Sequence, residues 1–218
     1  MIVPLSIIIF CFCCTTLEAQ SDKKVYKIKG DQFSTYAPAA KKIIPLDLML
    51  LERAVHFYTN LERKKKGLKP LHYSPRLLKA SRQHSLEMND LKYFSHDSPV
   101  AEYARLGNRL EKVGLHNVWS AENISVQFTK AIKNGRSFFK KKSTEGHEVL
   151  VDVLTNKTID YYTYHTFAKE IVKRWMESLG HRENILGNKY KYLACGAVLG
   201  RFNGREAIFF TQVFTSND

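Results

Sequence analysis

The chain has 218 residues, of which 44% are apolar and 12% aromatic. It can therefore bury a core, and this composition argues against wholesale disorder. It carries 34 Lys and Arg against 21 Asp and Glu, a formal net charge of +13. That charge favours anionic partners such as a membrane surface, a lipid or a glycan, and no nucleic-acid-binding module signature accompanies it.

The first stretch of the chain has the character of a secretory signal. Residues 2–14 are almost entirely apolar but too few to span a bilayer, and Ala19 offers a small residue at a cleavage point before Gln20. We therefore predict a signal peptide over residues 1–19 and a secreted, extracellular or cell-envelope location. No Lys or Arg precedes Lys23. An uncleaved membrane anchor, which would add the one membrane span, and a lipid-modified cysteine stay open as alternatives.

Cysteine usage agrees with one large domain that needs no disulfide. Cys11, Cys13 and Cys14 lie inside the predicted signal, so the mature chain keeps only Cys195 and cannot form an internal disulfide. Cys195 lies in an apolar, strand-like run. We predict a buried small hydrophobic residue there rather than a nucleophile.

The chain after the signal begins with a polar leader over residues 20–46, followed by three predicted helices. The first opens at Asp47, with apolar residues at helical spacing, and stops at Gly67. The second opens at Ser74-Pro75, a cap followed by proline at the first helical position. Ser98-Pro99 repeats that signal and predicts a third helix that closes at Gly114.

Residues 126–160 show no clean period, and we expect an irregular insertion at about 130–163 with a short hairpin around 147–162. Two roles stay open for this insertion. It is either a lid or partner-binding loop, or a surface segment that the fold tolerates without a function. A fourth helix is predicted over Tyr162–Ser178, with Gly180 as its stop. Strands over Tyr192–Leu199 and Glu206–Phe214 then form a hairpin.

Helices that come before strands indicate an α+β class, in which helices cover a small antiparallel sheet. No internal repeat or break in composition divides the chain after the leader. We therefore predict a single domain over residues 47–218.

Four segments in this order carry a family resemblance. They read QHSLEMNDLKYFSH (83–96), AENI (121–124), WMESLGHRENIL (175–186) and FFTQVF (209–214). Together they resemble the CAP superfamily of cysteine-rich secretory, antigen 5 and pathogenesis-related 1 (SCP-like) proteins, and closely its bacterial-type branch. The resemblance covers about Asp47 to Phe214. It implies a three-layer α-β-α sandwich with a cleft where His and Glu side chains converge, in some members around a metal ion.

The resemblance assigns the cleft residue by residue. His96 in FSH, Glu122 in AENI and His181 in GHR match the family pattern and are the candidate cleft and catalytic residues. Eukaryotic members place a glutamate three residues after the helix tryptophan, where this chain has Ser178. Phe209 stands where they have a terminal histidine, so the full two-His, two-Glu set is incomplete.

Two imidazoles and one carboxylate make a sound divalent-metal site, so His96, His181 and Glu122 are candidate ligands of a zinc ion. A metal-bound water could then act as a nucleophile. Alternatively, Glu122 fixes the tautomer of one imidazole and raises its pKa. Structural roles also stay open: Glu122 as a loop anchor, His96 as a satisfied cleft residue, His181 as a helix cap, and His84 as core or cleft wall.

Three functions are compatible with these features. The first, favoured by the incomplete set and the basic surface, is a non-enzymatic extracellular module that binds a lipid, glycan, metal or partner protein. The second is a metal-dependent or His/Glu hydrolase with Glu122 as general base. The third is a basic cell-envelope adhesin that acts through the insertion.

Overall fold

The computed structural model describes residues 42–132 and 135–218. The predicted signal peptide and most of the leader lie outside the described residues. The end of the leader packs on the domain, because the N–H of Ile43 donates to the backbone oxygen of Tyr162 at 2.9 Å and Ile43 is fully buried.

The described part contains five α-helices and one short 3₁₀ helix. They are α1 (Leu48–Lys65), α2 (Pro75–Asp90), the 3₁₀ helix (Ala101–Tyr103), α3 (Leu106–Glu111), α4 (Tyr164–Glu177) and α5 (Leu179–Leu186). The first two begin where the capping signals predicted. The side chain of Asp47 accepts from the N–H of Leu50, and that of Ser74 accepts from the N–H of Leu77.

Six strands form two sheets in the described part. They are β1 (His72–Tyr73), β2 (Ser120–Phe128), β3 (Phe138–Lys142), β4 (Glu148–Asp152), β5 (Tyr192–Phe202) and β6 (Arg205–Thr215). The main sheet has the order β1-β5-β6-β2, with β1 parallel to β5 and the other neighbours antiparallel. Strands β3 and β4 form a separate antiparallel pair.

The main sheet is covered by helices on both faces. Leu193 and Cys195 pack into one core with side chains of α1 and α4, whereas Ala194 between them packs with Leu77 of α2 and Leu110 of α3. This alternation is the period of two that a strand imposes. The predicted α-β-α sandwich is therefore confirmed, and so is the burial of Cys195.

The third helix was predicted to begin at Ser98-Pro99, and this prediction is wrong. The hydroxyl of Ser98 donates to the buried carboxylate of Glu87 at 2.7 Å and accepts from the N–H of Val100, which makes a tight turn. The Ser98 hydroxyl is thus bonded to a residue of α2 and does not cap a helix that starts at Pro99. The α-helix starts only at Leu106, and Gly114 closes the turn that follows with φ +76°.

The fourth helix ends within one residue of its predicted end at Ser178, but Gly180 is not the residue that stops it. It ends at Glu177 because Ser178 adopts an extended conformation with ψ 128°, and the chain then re-enters helix at Leu179. Gly180 is an internal residue of α5. His181, for which a helix-cap role was left open, consequently lies inside this short helix.

The two hairpins also differ from their predicted bounds. Strands β5 and β6 run up to a two-residue turn at Asn203-Gly204, whose φ values of 49° and 74° both lie in the left-handed region that such hairpin turns require. In the insertion the hairpin joins residues 138–142 to 148–152, not 147–162. Residues 157–159 run back beside β4, with the N–H of Ile159 bonded to Leu150, so the insertion is more regular than predicted.

Candidate functional site

Glu122 lies inside strand β2, rather than in a loop before it. It is opposite Val213, and Val213 packs in the core beneath α2 and α3, so the Glu122 side chain faces the same layer. Only 4% of that side chain is exposed. A carboxylate so deeply buried requires partners.

Both oxygens of Glu122 have a strong partner. Oε1 accepts from Nδ1 of His96 at 2.9 Å, and Oε2 accepts from Nη2 of Arg109 at 2.7 Å. The Arg109 side chain is itself almost fully buried, and its Nη1 donates to the backbone oxygen of Tyr103 at 2.9 Å. The centre of the site is therefore a compact His–Glu–Arg cluster.

The electrostatics of Glu122 combine opposing effects. Burial alone would raise the pKa of Glu122, but the hydrogen bond from His96 and the positive charge of Arg109 outweigh it and hold this pKa below its usual value. The carboxylate is consequently ionised at neutral pH. Its charge is balanced within the cluster, by His96 and Arg109.

His96 is the exposed member of the cluster. It comes from the loop after α2, and 53% of its side chain is accessible. The hydrogen bond to Glu122 raises the pKa of His96. Because Nδ1 donates to an ionised carboxylate, Nε2 is the nitrogen left for other partners, and no residue in the described ranges bonds to it. Arg109 also holds this loop, since its Nη2 donates to the backbone oxygen of His96 at 3.2 Å.

His84 lies behind the cluster on α2, where it forms part of the wall. Its Nε2 is 3.0 Å from the backbone oxygen of Ser95, and a carbonyl only accepts, so Nε2 carries the proton. Burial lowers the pKa of His84, which is thus neutral and leaves Nδ1 toward the hydroxyl of Tyr93 at 3.4 Å. The prediction of a core or cleft-wall residue is confirmed. His84 anchors the loop that presents His96.

His181 is near the cluster but does not bond to it. No hydrogen bond joins its ring to Glu122 or His96 in the described part of the chain, whereas its backbone oxygen accepts from Nδ2 of Asn123 at 3.2 Å. Burial lowers the pKa of His181, and the nearby charge of His96 lowers it further. The structure thus joins two of the three predicted residues directly and leaves the third beside them.

The residues of the cluster do not form a three-ligand metal site in this arrangement. Both Glu122 oxygens are occupied, and the fixed positive charge of Arg109 lies 2.7 Å from one of them. Within residues 42–132 and 135–218, no three His, Cys, Asp or Glu side chains are grouped to hold a metal ion. The atoms still open to a metal are ring nitrogens of His96 and His181, two donors where a catalytic zinc site has three.

Arg109 is the residue that the sequence analysis missed. It lies three residues after Leu106 and four before Val113, which puts it on the apolar stripe of its predicted helix. A guanidinium at such a position indicates a buried charge that needs a carboxylate partner. That signal marks Arg109 as internal, although it does not say which carboxylate it meets.

The structure has an α-β-α sandwich with a His–Glu pair beside its sheet. This is the architecture that the family resemblance of the four segments implies. The family model described as "CAP: Cysteine-rich secretory protein family" matches residues 56–214, which is most of the chain. The chain belongs to this family.

Bacterial proteins are similar to it in sequence and in fold. The chain is 29% identical over 154 residues to the "Uncharacterized protein YkwD" of Bacillus subtilis (strain 168), covering 71% of this chain and 45% of that protein. It therefore spans less than half the length of this relative.

A solved structure shows the same fold at low identity. An outer surface protein from Borrelia burgdorferi has a TM-score of 0.51 at 13% identity, covering 79% of this chain and 97% of that one. An extracellular SCP-domain protein from Bacillus anthracis str. Ames has a TM-score of 0.48 at 23% identity, covering 77% and 40%.

Proposed function

We propose that this chain is a secreted, non-enzymatic binding module whose ligand contacts His96. One observation carries the proposal: both oxygens of Glu122 are bonded within the protein, and the half-exposed ring of His96 keeps Nε2 open. The cluster therefore presents a fixed imidazole to a ligand, while its carboxylate and guanidinium stay inside.

An extracellular place of action is supported by the predicted signal, the family description and the name of a structural neighbour. The predicted signal at residues 1–19 directs export. The family description names secretory proteins, and a neighbour with the same fold is called an outer surface protein. Across the described ranges, no helix combines the length and the apolar character needed to cross a bilayer.

A binding role is favoured over covalent catalysis because, among the described residues, no hydroxyl or thiol is hydrogen-bonded to the ring of His96. The hydroxyl of Ser85 is engaged with Gly196 and Thr211, that of Ser95 accepts from the N–H of Asp97, and Cys195 is buried. Burial raises the pKa of the Cys195 thiol far above neutrality, so it is not a thiolate.

The charge of the cluster favours an anionic or hydrogen-bond-accepting group on the ligand. Arg109 offsets Glu122, so the pair presents no net negative charge that would attract a cation. A protonated His96 adds a positive charge with an N–H at Nε2. A phosphate or carboxylate carried by a lipid or glycan fits this chemistry, and the basic character of the whole chain would attract it.

A second candidate is a hydrolase in which His96 acts as general base on a water molecule. The observation that favours it is the carboxylate bonded to Nδ1, which is how an imidazole is oriented for proton transfer at Nε2. In this hydrolase the general base is His96, whereas the sequence analysis predicted Glu122 as the general base. The engaged oxygens of Glu122 and its lowered pKa make the carboxylate the orienting group.

The test is a titration of ¹⁵N-histidine-labelled protein with inorganic phosphate, followed by nuclear magnetic resonance. We expect saturable shifts of the His96 ring signals in wild type and none at that site in His96→Asn. The exposed His72→Asn variant is the matched control and should respond as wild type. Phosphate that leaves the His96 signals unchanged contradicts the proposal.

Two further measurements separate the alternatives. Calorimetry with zinc chloride on wild type and a His96→Ala/His181→Ala variant tests the metal hypothesis, which requires a binding heat that the variant loses. Hydrolysis of p-nitrophenyl acetate tests the hydrolase. Equal rates for wild type and His96→Asn support the binding module, and a rate that falls to background in the variant favours the enzyme.

A further inference from the structure

The β3–β4 hairpin stands apart from the main sheet. It lies between β2 and α4 in the chain and pairs only with itself and with the returning segment at residues 157–159 among the described residues. Arg205 joins it to the domain, because its guanidinium lies over the ring of Phe128 at 3.6 Å and 5.4 Å from that of Phe138. One side of the hairpin is thereby attached to the domain.

The other side carries an apolar strip, defined by the strand register. Phe139 is opposite Val151, and Lys141 is opposite Val149, so these four share one face. The N–H of Val153 donates to Ser137 at 3.0 Å and continues the ladder by one pair, which adds Val153 to the same face. The hairpin face therefore consists of Ser137, Phe139, Lys141, Val149, Val151 and Val153, with Ser137 opposite Val153.

Large apolar side chains remain in solvent around this face. Val151 at its centre is buried and is not accessible to a partner, so the accessible apolar part of the face is at its end: Phe139 is 43% exposed, Val153 is 57% exposed, and Leu154 in the adjoining turn is 76% exposed. The domain core is elsewhere, and none of these three exposed residues belongs to it. Exposed apolar residues clustered in one place indicate an interaction surface.

The charges of the hairpin are segregated between its two faces. The carboxylates of Glu148 and Asp152 lie on the side opposite the hairpin face, where they pair with Lys140 at 2.9 Å and Arg136 at 3.2 Å. Of the six residues on the hairpin face, only Lys141 is charged. An approaching anionic surface meets a cation and apolar groups there, with no carboxylate to repel it.

We infer that the hairpin face docks on an anionic phospholipid surface. Apolar side chains beside lysine are the combination that enters the headgroup boundary of a bilayer, while the ammonium groups meet lipid phosphates. The valine and leucine side chains offer no hydrogen bonds to a polysaccharide, so a bilayer fits better than a wall glycan. The net charge of the chain adds a long-range attraction. This role is independent of the His96 cluster.

The test is co-sedimentation with lipid vesicles, using the chain that begins at Gln20 so that the apolar segment before it does not contribute. Vesicles of phosphatidylcholine with a third of phosphatidylglycerol are compared with vesicles of phosphatidylcholine alone. We expect binding to the anionic vesicles that falls with salt. Val153→Ser/Leu154→Ser and, separately, Lys141→Glu should each weaken binding by roughly tenfold.

Matched controls change the same chemistry elsewhere on the surface. Leu91→Ser replaces a leucine that is 49% exposed at the end of α2, and Lys66→Glu reverses an exposed charge after α1. Both should bind as wild type, and unchanged thermal midpoints confirm that all variants fold. Vesicle binding that survives in the hairpin variants overturns the inference, as does binding to isolated anionic wall polymer in place of vesicles.

Discussion

The side-chain amide of Asn184 donates a hydrogen bond to the backbone oxygen of Glu122 at 3.2 Å and another to the side-chain oxygen of Asn123 at 2.8 Å. Strand β2 is an edge of the main sheet, so its outward carbonyls lack a neighbouring strand. The next outward carbonyl, that of Ile124, accepts from the indole nitrogen of Trp175 at 3.2 Å. Trp175 and Asn184, both in the WMESLGHRENIL segment, thus supply the hydrogen bonds that a neighbouring strand would give to β2. They hold Glu122 in place.

Replacing Asn184 should therefore loosen the site as well as the fold. In Asn184→Ala the oxygen of Glu122 and the side chain of Asn123 each lose a donor, and we expect the free energy of unfolding to fall by about 1–3 kcal/mol. Urea denaturation measures this loss. The neighbouring exposed Glu183→Ala is the control and should unfold at the wild-type midpoint. If Asn184→Ala unfolds at the wild-type midpoint, the hydrogen bonds from Asn184 to the edge of β2 do not stabilise the fold.

The raised pKa of His96 should depend on Glu122. The carboxylate stabilises the protonated imidazole, so Glu122→Gln should lower the pKa of His96, and ring-proton resonances followed over pH in the presence of EDTA measure it. His96 contributes stability that is fully present below its unfolded pKa and is lost as pH rises through its folded pKa. A His96 pKa that is the same in Glu122→Gln and wild type contradicts the pairing.

Much of the architecture was accessible from local sequence signals. Asp47 and Ser74-Pro75 predicted two helices correctly because their caps act within one turn, and the family segments placed His96 and Glu122 together although 26 residues separate them. The Ser98-Pro99 signal failed for the opposite reason: its hydroxyl is taken by Glu87, a residue on another helix. A local pattern cannot show such a competing long-range partner.

The insertion was the least predictable part. Exposed lysines and aromatic residues share β3, so the apolar signal of one face of the hairpin is obscured by the charges of the strand. Without a fixed turn dipeptide in the loop, nothing in the sequence sets the register. Arg109 was missed for a related reason, because its partner Glu122 lies on a strand beyond the end of the helix.

Removing Arg109 should be costly because it leaves a buried carboxylate with one partner fewer. Arg109→Met keeps much of the length of the side chain but loses the bond to Glu122 and those to the backbone of His96 and Tyr103. We expect the free energy of unfolding at neutral pH to fall by about 3–5 kcal/mol. Chemical denaturation of the purified variant measures this.

A double variant distinguishes the lost charge pair from lost packing. Arg109→Met/Glu122→Leu removes both buried charges, so it should recover much of the stability that Arg109→Met loses. If the double variant is less stable than the single one by the full cost of a second substitution, the two side chains act independently, and Arg109 is then a packing residue only.

Acid sensitivity should trace in part to His56 on α1. The ring nitrogen Nε2 of His56 is buried without a hydrogen-bond partner among the described residues, and burial, with the nearby charge of Arg53, lowers the pKa of His56 to about 3. The unfolded chain binds a proton at that histidine near its ordinary pKa, whereas the folded chain does not. Stability is therefore full above about pH 6.5 and falls by at most about 1.4 kcal/mol per pH unit as the pH drops toward 3.

His56→Phe removes the titrating ring while keeping an aromatic edge against Tyr73, which His56 contacts at a ring separation of 6.1 Å. Urea midpoints between pH 4 and pH 7 should decline less steeply in this variant than in wild type. His116→Gln, at an exposed position, is the matched control and should keep the wild-type slope. Because the carboxylates are unchanged in all three proteins, the difference in slope isolates His56, and parallel slopes would show that His56 takes up its proton in the folded state.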